Sequence, residues 1–135
     1  MRYLLDSDTC ITHLRSGGTH PISLRLLATP VTDIAIATIV EAELLFGALR
    51  SAQVARNLAE VGAFCASLTV LPFDRRVVEE HARLRAELAT RGTPIGPYDA
   101  IIAATALAHH LTLVSHNTRE FGRVQGLRLD DWQTP

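Results

Sequence analysis

Three acidic residues in this chain are conspicuous for the company they keep. Asp6 ends the apolar run Tyr3-Leu4-Leu5, and Glu43 lies in Glu41-Ala42-Glu43-Leu44-Leu45. Asp99 opens Pro97-Tyr98-Asp99-Ala100-Ile101-Ile102-Ala103-Ala104, a stretch with no other charge. A fourth polar group, His116-Asn117-Thr118-Arg119-Glu120, follows the apolar Leu111-Thr112-Leu113-Val114-Ser115. Acids brought together repel one another unless something positive sits among them. Hard divalent cations such as Mg2+ or Mn2+ prefer carboxylate oxygens and keep waters as their remaining ligands. A pair of such ions can activate water and stabilise the leaving oxygen in phosphodiester cleavage. All 13 basic residues are arginine, so neither a P-loop lysine nor Schiff-base chemistry is open to this chain.

Whether these acids meet depends on the elements that carry them. Arg2 to Leu5 reads as a short strand ending on Asp6, and open α/β folds bind ligands at such strand ends. Either Ser7 or Asp8 caps the helix that follows through Cys10, Ile11 and Leu14, which leaves Asp6 without a capping role. After the break at Gly17-Gly18, Ile22 to Leu27 reads as a second helix. Ile34 to Ala37 is a second strand, buried on both faces. Thr38 and Glu41 have capping-box spacing, which opens a helix running to Leu49. Glu43 lies about 200° round that helix from Glu41 and has no such structural task.

Ser51 to Leu68 shows an apolar helical stripe at Val54, Leu58, Val61, Phe64 and Cys65. Thr69 to Phe73 is a third strand, and Asp74 caps a charged helix over residues 75–91. Gly96 and Pro97 fit the N-cap and first position of a helix that is apolar all round, the mark of burial on every side. Asp99, in its first turn, complements the helix dipole on one reading and belongs to a site on the other. Leu111 to Ser115 is a further buried strand, and the tail from Val124 through Trp132 supplies one edge strand. Strands alternating with helices favour a mostly parallel sheet covered on both faces. Strand ends and following helix starts then share one edge, where Asp6, Glu43, Asp99 and the Asn117–Glu120 turn converge.

Composition sets the outer limits. The 135 residues, 47% apolar and 20% charged, suit one globular domain spanning 1–135. No apolar run approaches the ~18 residues of a membrane span, and Asp6 and Asp8 interrupt the only apolar start, so a cytoplasmic location is expected. Cys10 and Cys65 sit in apolar helical contexts and read as buried reduced thiols. A net charge of −1 implies no broad basic face. His109, His110 and His116 lack a metal-ligand spacing.

Taken together, the blocks Tyr3-Leu4-Leu5-Asp6-Ser7-Asp8, Glu43-Leu44-Leu45-Phe46-Gly47, Ile95 to Ala104, Val114 to Phe121 and Gly126-Leu127 give the chain a resemblance to the PIN-domain ribonucleases, specifically the VapC-type toxins of bacterial toxin–antitoxin pairs. The resemblance spans essentially the whole length. It implies a three-layer α/β/α fold and a Mg2+- or Mn2+-dependent endoribonuclease acting on structured RNA, often transfer RNA. It also implies that Asp6, Glu43 and Asp99 are the metal-binding catalytic acids, with Ser7, Thr38 and Ser115 as supporting groups. Many members place an aspartate where this chain has Asn117, while others use an acid a turn later, here Glu120. A homodimer, a small antitoxin that occludes the acidic pocket, and contact with DNA only through that antitoxin are implied as well.

Two rivals belong to other classes. Asp6-Ser7-Asp8-Thr9 is similar to the DxDx[TV] motif of aspartate-nucleophile phosphatases, but the threonine comes one residue early and the usual lysine is absent. A non-catalytic PIN scaffold for RNA or protein is the other, and intact Asp6, Glu43 and Asp99 speak against it.

Overall fold

Successive residues of a strand point to opposite faces of a sheet, so a strand with every residue buried must be covered on both sides. Ile34, Ala35, Ile36 and Ala37 are all buried, as are Leu4 and Leu5. The structure, a computed structural model that describes residues 1–133, accordingly has a helix-covered central sheet. Its strands are β1 (Tyr3–Leu5), β2 (Ile34–Ala37), β3 (Thr69–Leu71), β4 (Thr112–Val114) and β5 (Leu129–Asp130), in the order β3-β2-β1-β4-β5. Every pairing is parallel, with Leu4 opposite Ala35 on one side and Leu113 on the other. The expected edge strand at the tail is β5, and it makes the sheet wholly rather than mostly parallel.

The helices are α1 (Ser7–Arg15), α2 (Pro21–Ala28), α3 (Thr38–Leu49), α4 (Val54–Ala66), α5 (Arg75–Thr90), α6 (Pro97–Ala108) and α7 (Thr118–Phe121). None of the helices among the described residues is long and apolar enough to cross a membrane. Cys10 and Cys65 are buried free thiols.

Three expectations about helix starts need correction. Asp6 itself is the N-cap of α1, its Oδ1 accepting from the Thr9 amide at 2.9 Å; neither Ser7 nor Asp8 caps it. Ala37, not Thr38, is the N-cap of α3. The Thr38 hydroxyl donates instead to the Leu71 carbonyl at 2.9 Å, so no capping box forms, and Glu41 lies beside the Cys65 thiol, which burial first and then Glu41 push up. Finally, α4 begins at Val54 because Ser51 finishes α3: its hydroxyl donates to the Ala48 carbonyl at 2.6 Å and accepts from Asn57 at 2.9 Å. Gly96 and Asp74 do stand at the N-cap positions expected of them.

The apolar α6 is the best-supported helix in the fold. Its carboxyl end receives two guanidinium groups, Arg76 on the Ala108 carbonyl and Arg128 on the His110 carbonyl, which is the charge the negative end of a helix favours. His110 itself takes the left-handed conformation, φ 55°. Replacing Arg76 with methionine keeps the aliphatic stem and removes the charged donor. We expect unfolding to become about 0.5–1.5 kcal/mol easier in urea, Arg76 being an exposed residue. A melt identical to the parent protein would show that the contact contributes nothing.

Candidate acidic site at the carboxyl edge of the sheet

The chain runs from β1 to β2 and β3 on one side, then crosses back to β4 and β5 on the other. The point where the direction reverses, between the carboxyl ends of β1 and β4, is the ordinary ligand crevice of an open parallel sheet. Asp6 follows β1 directly, and Ser115 to Asn117 follow β4. The two ends are stitched together: the Asp6 amide donates to the Val114 carbonyl at 3.2 Å and the Thr9 hydroxyl to the same carbonyl at 3.3 Å.

Asp6 is buried. Burial pushes its carboxyl above the ordinary aspartate value, while hydrogen bonds from Ser115 and Thr9 pull the other way. Capping and presentation at the crevice are therefore combined in one side chain, a sharing that the sequence reading missed. An aspartate in the position just before a helix is the signal that could have revealed it.

Glu43 reaches the site from the second turn of α3, and the Ser7 hydroxyl donates to its Oε1 at 2.6 Å. Asp99 comes from the first turn of α6 and is pushed up to about 6, first by burial and then by Glu120, Asp6, Glu43 and Asp8 in falling order. All four of those charges are negative. Glu120, from α7, is thus the strongest charged neighbour of Asp99, and its Oε2 accepts from the Asn117 side-chain amide at 2.8 Å. Asn117 also closes a turn by donating its backbone N–H to Ser115 Oγ at 2.9 Å.

The structure thus brings Asp6, Glu43 and Glu120 into electrostatic reach of Asp99, with Ser115, Ser7 and Asn117 holding Asp6, Glu43 and Glu120 in orientation. Asp8 joins the acidic field, which sequence reasoning had treated only as a cap. Thr38 stands apart, its hydroxyl committed to β3. His116 faces Asp131, Nδ1 to Oδ2 at 2.9 Å. Among the described residues, no three acidic, histidine or cysteine side chains are grouped tightly enough to grip an ion as they stand.

Known proteins share this fold. The PIN domain model matches residues 3–127. The tRNA(fMet)-specific endonuclease VapC of Salmonella typhimurium is 39% identical over 132 residues, covering 98% of each chain. Among solved structures, DNA-bound VapBC from Salmonella typhimurium superposes with a TM-score of 0.92 at 38% identity over 98% of each chain. VapBC2 from Rickettsia felis, bound to a promoter DNA fragment, gives 0.87 at 34% identity, covering 98% of this chain and 99% of that one. A likeness in sequence and fold that runs over nearly the whole length of the chain leaves one conclusion, that the chain belongs to the PIN-domain family and within it to the VapC ribonucleases.

Proposed function

We propose that this protein is a metal-dependent endoribonuclease that hydrolyses phosphodiester bonds in structured RNA, transfer RNA being the favoured class, and that a VapB-like antitoxin holds it in check. The observation that carries the reading is the electrostatics of Asp99, a half-buried carboxylate that four other acids and, among the described residues, no basic group push up. Such a site is unfavourable to keep ionised on its own, and a divalent ion relieves every repulsion at once.

The donor set fits Mg2+ or Mn2+: carboxylate oxygens alone, with no thiolate and no imidazole among them. Asp6, Glu43 and Asp99 would hold the ion, with Glu120 as the fourth acid and Asn117 as the group that positions it. When bound, the ion supplies Lewis-acid activation of water and stabilisation of the leaving oxygen. Asp6 stays fixed by its cap, and Ser115 restrains the same carboxylate from the β4 side. Ser7 keeps Glu43 from swinging away, and Asn117 does the same for Glu120.

The experiment is cleavage of total transfer RNA by purified protein with Mg2+ or Mn2+, repeated in EDTA. Cutting is expected to fall to background in chelator and return when metal is restored. Undiminished cutting in chelator, with the absence of metal verified by elemental analysis, would sink the metal mechanism. By analogy with relatives solved as DNA-bound VapBC, an antitoxin is the expected partner, DNA being reached through it; the family resemblance implies a second copy of the chain as well. Formation of a stable complex with the product of an adjacent short gene tests that part.

A further inference from the structure

The sequence suggests burial of α6 on every side, and the structure departs from that at its first turn. Tyr98 is 53% exposed and, with His81, Arg85, Pro94, Pro97 and Ile101, lines a groove of about 780 Å3 between α5 and the start of α6. Tyr98 and Asp99 are consecutive, so their side chains leave the same helical turn about 100° apart. Asp99 takes the acidic side and Tyr98 the groove side.

The groove has an unusual makeup. Its walls are alanine, proline, leucine and isoleucine, and its polar members are one phenol, one imidazole and one guanidinium. Arg85 makes no hydrogen bond or ion pair among the described residues. His81 stands edge-on to Phe73, ring centroids 5.4 Å apart, and burial together with Arg85 holds it below its ordinary value. At neutral pH it is therefore an uncharged flat ring.

An accessible aromatic face, a second flat ring and a guanidinium without a partner are the groups on which proteins stack unpaired bases and hold their phosphates. An apolar protein segment seated there would leave Arg85 uncompensated, whereas an RNA strand brings the missing negative charge. We infer that this groove is the seat of one unpaired RNA base, that of a nucleotide flanking the phosphate presented to Asp99, with Tyr98 as stacking platform and Arg85 as phosphate contact. The inference rests on the nuclease reading and assigns that site its preference for single-stranded or loop RNA.

Two measurements on the full chain test it. In the first, Tyr98→Ala lowers kcat/KM on the RNA that the parent protein cuts by about 5- to 150-fold, chiefly through KM, and Tyr98→Phe restores most of the loss. In the second, the Tyr98 ring protons move upfield when a single-stranded adenine tetranucleotide is titrated into metal-free protein, and Arg85→Ala weakens that binding while flattening its salt dependence. Melting curves establish that each variant is folded. The inference is overturned if Tyr98→Ala cuts within twofold of the parent and the ring signals stay put. It is equally overturned if the only effect of Tyr98→Ala is to turn a dimer into a monomer in sedimentation, since a second copy then covers the groove. Shifts at Tyr98 in a protein that cuts no RNA would uphold the groove and sink the nuclease reading. Cutting without any dependence on Tyr98 would do the reverse.

Discussion

In chelator at pH 8, Asp99→Asn is expected to melt at a higher temperature than the parent protein, and with Mn2+ present to cut RNA at least about 10²-fold more slowly. The second figure is the scale of losing one preorganised charge-stabilising group. The first follows from the acids around Asp99. Unfolded, this carboxyl titrates at its ordinary 3.8; folded, it is raised to about 6 by burial and by Glu120, Asp6, Glu43 and Asp8. Between those values the folded protein holds more protons than the unfolded one, so stability falls as pH rises through that window. The contribution is fully present below about 3.8 and gone once pH is well above 6. Asparagine has no charge to lose, so the variant's melting temperature should lack this part of the pH dependence. Metal reverses the order, because an ion that binds only the folded parent raises its stability by mass action. Melting curves at pH 5 and pH 8, with EDTA and with Mn2+, give the comparison. A variant that melts below the parent in EDTA at pH 8 would mean that Asp99 is a structural acid.

That prediction could not have been made from the residues alone. Sequence reasoning located Asp99 in the first turn of a capped, apolar helix, and the structure agrees. It gave Glu43 no structural task and no hydrogen-bonding partner. In the fold Glu43 has the Ser7 hydroxyl as a donor, and Asp99 is pushed up to about 6 by burial and then by Glu120, Asp6, Glu43 and Asp8. Local pattern could not reveal this, because Ser7 and Glu43 are 36 residues apart and meet only through the packing of α1 on α3. The strands were legible because buried parallel strands are continuous apolar runs between turn residues. Capping was less so: the reading slipped by one or two residues at Asp6 and by one at Thr38. A side chain that can cap looks the same in sequence whether it bonds its own helix or, like Thr38, a neighbouring strand.

Asp6 offers the sharpest separation of structural from chemical roles. Asp6→Asn retains an oxygen that can accept from the Thr9 amide, and asparagine is as good an N-cap as aspartate. It also removes a buried charge. We expect its melting temperature in chelator to match or exceed the parent's, while cleavage drops by about 10²-fold or more. Asp6→Ala should lose cleavage to the same degree and in addition lose about 1 kcal/mol of stability, the usual cost of removing a cap. The pair therefore shares one phenotype and differs in the other. Urea unfolding and single-turnover cleavage on both variants decide it. Should Asp6→Asn cut as fast as the parent, Asp6 is a cap and nothing more.

The order of the strands has a consequence in time. β1 occupies the middle of the sheet and is made first, yet its neighbour β4 comes near the end of the chain; the Thr9 hydroxyl and the Val114 carbonyl that join them are 105 residues apart. At ordinary rates of synthesis the interval between Asp6 and Glu120 is on the order of ten seconds, and pairing of such distant parallel strands is intrinsically slow. For most of that interval the nascent chain holds Asp6 and Glu43 without Asp99, and for all of it without Glu120. No product shorter than 120 residues carries the complete acid set, so on the function proposed above a growing polypeptide does not yet cut RNA. A partner that captures the newly finished protein has until β4 docks to arrive.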